Sequence, residues 1–147
     1  MSKMPMIFVG HGSPMNAIED NQYSRSWKEM AKRIPKPEAI ISISAHWYTR
    51  GTKIMNEDNP QTIYDMYGFP KELYEITYNT PGHPKLAEGV KKLITIPSVF
   101  DNSWGIDHGT WSVLVHMYPE RDIPVFQISV DATASPDVHY QIGKELN

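Results

Sequence analysis

The 147-residue chain has no cysteine, which excludes disulfides, thiolate metal sites and a cysteine nucleophile. No apolar run is long enough for a signal-peptide core or a membrane span, so a cytoplasmic location is the expectation. Basic charge is scattered. The net charge is −3 and no basic run is longer than Lys91-Lys92, which argues against a phosphate-reading surface and against nucleic acid as a partner. The Gly-x-Ser-x-Gly elbow, the His-Glu-x-x-His helix and the lysine of a phosphate-binding loop are all missing. What remains is a chain with 40% apolar residues, enough for a real core.

The pattern alternates strand and helix. Strands are expected at Met6–Val9, Ala39–Ser44, Gly51–Met55, Ser98–Phe100 and Val125–Val130. Helices are expected at Ser24–Arg33, Lys85–Leu93, Trp111–Met117 and after Ser135-Pro136-Asp137, which reads as cap, first-turn proline and first-turn acid. The first helix would turn Tyr23, Trp27, Met30, Ala31 and Ile34 inward, and the second Leu86, Val90 and Leu93. Between Asn56 and Gly82 lies a long stretch rich in Pro, Gly, Asn and Tyr, and a loop of that length is usually functional. Its aromatics, Tyr64, Tyr67, Phe69, Tyr74 and Tyr78, could wall a planar pocket. The residues alone read as an α/β domain.

Two histidines follow strand-like runs: His11 in Gly10-His11-Gly12-Ser13-Pro14, and His46 in Ser44-Ala45-His46-Trp47. If the two strands are parallel, both imidazoles reach the carboxyl edge of the sheet, where open α/β sheets build their sites. Two imidazoles there suggest a metal. Taken singly, His11 also reads as a loop histidine bonded to a carbonyl, and His46 as a core-edge histidine. His108, in Asp107-His108-Gly109-Thr110, is either a proton-handling group or part of a helix cap served by Asp107. His83 reads as a turn residue, and His116 and His139 as packing or surface residues. Trp47 and Trp111 flank candidate histidines and are expected near the site, while Ser13 precedes a proline, the wrong context for a nucleophile.

Several blocks in register resemble one family: Phe8-Val9-Gly10-His11-Gly12-Ser13-Pro14-Met15-Asn16, Ser44-Ala45-His46-Trp47, Tyr67-Gly68-Phe69-Pro70, Tyr78-Asn79-Thr80-Pro81-Gly82, and Trp104-Gly105-Ile106-Asp107-His108-Gly109-Thr110-Trp111. They are similar to the class III extradiol ring-cleavage dioxygenases, in the 4,5-DOPA dioxygenase-like branch. The resemblance implies a three-layer α/β/α fold around a mixed, largely parallel sheet, and one non-haem Fe(II), in a site where zinc is often found, with His11 and His46 as ligands. It implies that His108 meets the substrate and handles protons, and Ser13 and Trp47 are expected as further substrate contacts. The implied partners are a small catechol and dioxygen. Family members are longer, and their carboxyl-terminal part supplies a third ligand and a further acid/base histidine. Residues 1–147 therefore read as one apparently truncated catalytic domain, with activity conditional on completeness. A sheet short of strands would expose an edge and an apolar face. Two alternatives use the same histidines: a metal-binding relative without oxygenase chemistry, and a zinc-dependent hydrolase.

Overall fold

A computed structural model of the chain describes residues 3–147. Four strands form one open mixed sheet with helices around it, the α/β architecture that the alternating pattern predicts. The strands are β1 (Ile40–Thr49), β2 (Thr52–Ile54), β3 (Ser98–Phe100) and β4 (Val125–Asp131), in the order β1-β4-β2-β3. β1 pairs in parallel with β4, from Ile40 opposite Val125 to Ile43 opposite Ile128. The register then shifts before Tyr48 meets Val130. β2 and β3 are also parallel, whereas β2 meets β4 antiparallel at Ile54 and Ile128. Val125, Phe126 and Ile128 are almost wholly buried, as an inner strand covered on both faces requires.

The helices are α1 (Gln22–Arg33), α2 (Lys71–Tyr74), α3 (Pro84–Leu93), α4 (His108–Met117) and α5 (Pro136–Leu146). α4 is the pivotal one. It packs on both α1 and β1, and Trp111, Val113, Leu114 and Met117 are buried along it. α3 packs against α5.

α1 begins two residues earlier than expected because Asn21 forms a capping box. Its Oδ1 accepts from the amides of Tyr23 and Ser24, at 3.0 and 3.1 Å, while Ser24 Oγ accepts from the Asn21 amide at 3.0 Å. Trp27 faces inward, but Tyr23 is exposed. On α3, Ala87 and Val90 are buried, whereas Leu93, expected inward, lies at the surface and the following residue, Ile94, takes the buried position.

Two expectations fail outright. Met6–Val9 is not a strand: the segment is irregular, and Met6 and Phe8 are exposed at 69% and 101%. An apolar run makes a strand only when a neighbour supplies the ladder, and among the described residues none pairs with this one. β1, in turn, does not stop at Ser44 but runs through His46 to Thr49, so His46 lies within the strand. In the long loop, Tyr78 belongs to the core, with its hydroxyl donating to the Tyr118 carbonyl at 2.9 Å, while Tyr67 stands in solvent. No helix among the described residues is long and apolar enough to cross a membrane.

The Asn21 side chain also donates to Asn16 Oδ1 at 2.7 Å, and Asn16 Nδ2 donates to the His11 carbonyl at 2.9 Å. The cap of α1 is thus wired to the turn that carries His11. Asn21→Ala is expected to cost about 1 kcal/mol in denaturant unfolding, the usual price of a lost cap, and to broaden the His11 ring signals in NMR spectra.

Candidate metal centre

Three imidazoles meet in space from three distant parts of the chain. His11, His46 and His108 each place one ring nitrogen within 4.8 Å of the other two. The Nε2 atoms of His11 and His46 are 2.8 Å apart. The ring of His108 lies 4.0 Å from that of His46 and 5.1 Å from that of His11, centre to centre. His108 is buried, His11 half-buried and His46 exposed, so the cluster opens to solvent on the His46 side.

Local structure explains each position. Gly12 adopts φ +64°, a left-handed turn open to glycine, and this turn presents His11. His46 sits on β1 beyond Ser44, where the irregularity in register with β4 falls. His108 is the first residue of α4 and follows its N-cap, Asp107, whose carboxylate accepts from the Gly109 amide at 3.0 Å. The helix-cap reading of Asp107 therefore holds, alongside a place for His108 in the cluster. Close approach joins α4 to β1. A Cβ at Gly109 would fall 2.7 Å from His46 Cδ2 and 2.9 Å from Ser44 Oγ. Ser42 Oγ and Thr110 Oγ1 add a hydrogen bond of 2.7 Å between the same two elements.

The electrostatics favour neutral, ligating imidazoles at His11. Burial lowers its pKa below the ordinary value of 6.5, and the neighbouring His108 and His46 lower it further. Asp65, on the long loop, brings its Oδ1 to 2.9 Å from His108 Nδ1, although out of line for a good hydrogen bond with the ring; the same oxygen accepts from the His108 amide, also at 2.9 Å. Burial pushes the Asp65 carboxyl up, but its contacts with His108 outweigh this and hold it below the usual carboxylate range. His108 thus faces an ionised carboxylate on one side and the other two imidazoles on the other.

These donors fit a divalent transition metal. Two nitrogens at hydrogen-bond distance share one proton; when both are unprotonated, a cation can take its place. Two ligand atoms on one metal at roughly 2.1 Å stand about 3.0–3.4 Å apart, a few tenths of an ångström wider than the separation seen here. Imidazole suits zinc and iron alike. The cluster contains no carboxylate, so a two-histidine, one-carboxylate triad is not completed by the described residues.

Trp47, Trp111 and Ser13 have packing and hydrogen-bond contacts of their own. Trp47 is 3% exposed and packed in the core, while its neighbour His46 is exposed. Trp111 is fully buried, with its indole N–H donating to the Ile63 carbonyl at 2.9 Å. Ser13 caps a short 3-10 turn, Pro14–Ala17, its Oγ accepting from the Met15 amide at 3.2 Å. His83 caps α3 through its ring, His116 meets the Asn16 carbonyl at 2.6 Å, and His139 accepts from the Asp131 amide, all structural duties. Sequence reasoning missed Asp65 and Asn16. The position of Asp65 in a long loop rich in aromatics was the one available signal.

Comparison with known proteins gives this geometry its context. Residues 2–147 match the family described as the catalytic LigB subunit of aromatic ring-opening dioxygenase. The chain belongs to the LigB family. It is 46% identical over 147 residues to the 4,5-DOPA dioxygenase extradiol of Escherichia coli (strain K12), covering 99% of this chain and 54% of that protein. The protein of the same name from Beta vulgaris is 43% identical, over 95% of this chain and 55% of its own length. A crystal structure of the uncharacterized protein JW3007 from Escherichia coli K12 superposes with a TM-score of 0.71 at 40% identity, covering 87% of this chain and 48% of that one. This LigB-family chain spans about half the length of the curated relatives it matches.

Gly109→Ala is expected to push the His46 ring aside or lift α4 from β1. The forced overpacking should cost about 1–3 kcal/mol in unfolding, and a crystal structure of the variant should show the His11–His46 separation widened.

Proposed function

We propose that the chain carries the two-histidine half of an extradiol catechol-cleaving centre, with His11 and His46 as metal ligands and His108 as the proton-handling group beside the substrate. The observation that carries this reading is the convergence of the three imidazoles within 4.8 Å in a chain of the LigB family. Fe(II) bound there would supply a Lewis acid that favours the ionised catechol and a redox centre for dioxygen; zinc would supply the first alone. A DOPA-like catechol is the substrate proposed, in keeping with the names of the relatives.

The chain's own residues set the stage for that chemistry. The exposed side of His46 is the way in for a planar diol. His11, kept neutral by burial and by its neighbours, is ready to ligate without first losing a proton. Asp65 holds the His108 backbone and faces its ring, which fixes the imidazole at the rim of the site. From there His108 can accept a proton from a catechol hydroxyl and return it. The third ligand and the further acid/base group that the resemblance implies lie outside the cluster described.

The proposed centre is therefore incomplete in this chain alone, and its behaviour should show it. Fe(II) titrated without oxygen should bind weakly, and binding should vanish in both His11→Ala and His46→Ala. Addition of DOPA should alter the spectrum of the bound metal, and oxygen uptake with ring cleavage should be slight. Metal binding unchanged in either variant, or brisk ring cleavage by the pure chain, would contradict the proposal. Zinc retention with ester hydrolysis would favour the hydrolase alternative, and metal retention indifferent to DOPA the non-oxygenase one.

A further inference from the structure

Asp107 is fully buried, yet among the described residues no lysine or arginine pairs with it. Its carboxylate is held instead by four uncharged donors. Oδ1 accepts from Ser44 Oγ at 2.8 Å and from the Gly109 amide at 3.0 Å. Oδ2 accepts from Trp104 Nε1 at 2.9 Å and from Gln127 Nε2 at 3.0 Å. The placement of these donors is informative. Ser44 stands two residues before His46 on β1, and its Oγ also accepts from the His46 amide at 3.2 Å. Gly109 follows His108, and Gln127 lies on β4 beside β1. A single carboxylate therefore links the strand bearing His46, the turn bearing His108 and the strand between β1 and β2.

A buried anion without a counter-charge is costly, even when its hydrogen bonds are filled. Four donors call for a carboxylate, since an amide would turn its own N–H groups against two of them. A cation at the neighbouring imidazoles would offset the charge, and the fixed spacing of β1 and α4 is what such a cation needs.

We propose that Asp107 is a positioning residue for the metal centre: its carboxylate fixes His46 and His108 relative to one another through Ser44 and Gly109, and its charge favours a cation among them. This rests on the reading of His11 and His46 as metal ligands. Outer partners of this kind commonly tune affinity by about 10–100-fold.

The test is a Co(II) titration of the full 147-residue chain, followed by visible absorption, with a thermal melt of every variant. Asp107→Asn is expected to weaken Co(II) binding about 10–100-fold. Ser44→Ala should weaken it less, and the double variant should be no weaker than Asp107→Asn alone, because both act through one contact. Val90→Ala, a buried change on α3, should lower the melting temperature and leave Co(II) affinity alone. Equal affinity in Asp107→Asn and wild type, or an equal loss in Val90→Ala, would overturn the proposal. If Asp107→Asn does not fold, Ser44→Ala decides: unchanged affinity there overturns it. A different result marks failure of the underlying reading: Co(II) affinity that His11→Ala leaves untouched, or no Co(II) binding by the wild-type chain.

Discussion

The arrangement of the site depends on the contact between β1 and the amino end of α4. The two elements are drawn together by hydrogen bonds that leave no room for a side chain between them. Ser44 and Gly109 share one oxygen of the buried Asp107 carboxylate, Ser42 meets Thr110, and the missing Cβ of Gly109 lets the His46 ring sit against the helix. The hydroxyls of Ser42, Ser44 and Thr110 and the Asp107 carboxylate are all hydrogen-bonded, so the contact is specific as well as close. The apolar face of α4, led by Trp111, then anchors the helix in the core. His11 is brought to this contact from the other direction, by a left-handed turn at Gly12 and by the Asn21–Asn16 chain of side-chain amides.

Seen this way, three imidazoles in mutual contact follow from the fold. Packing histidines together is unfavourable if they are charged; the pKa of His11 is lowered by burial first and by His108 and His46 after it. A cation among neutral rings resolves the conflict. The ionised Asp65 at His108 adds a second negative group at the edge of the cluster. The LigB family and the names of its members supply the chemistry that such a cluster is proposed to perform.

Much of this was legible in the chain. β3 appears at Ser98–Phe100 as expected, β4 begins at Val125, and proline and acid open α5 where Ser135-Pro136-Asp137 announces them. The histidines were legible because glycine, strand and cap surround them locally. Other features could not be read because they depend on neighbours distant in sequence. Met6–Val9 has strand-like residues but no partner strand. The burial of Trp47 next to the exposed His46 is set by packing partners that no local pattern names. Asp65 meets His108 across 43 positions of chain, and no local pattern marks that contact. Gly109 reads as an ordinary early-helix glycine until His46 is placed against it.

Crystals of the chain soaked with Zn(II) and measured across the zinc absorption edge would test the central claim most directly. The account predicts one anomalous peak within bonding distance of both His11 Nε2 and His46 Nε2. A peak held by other residues, or two rings that stay hydrogen-bonded to each other with no metal between them, would contradict it.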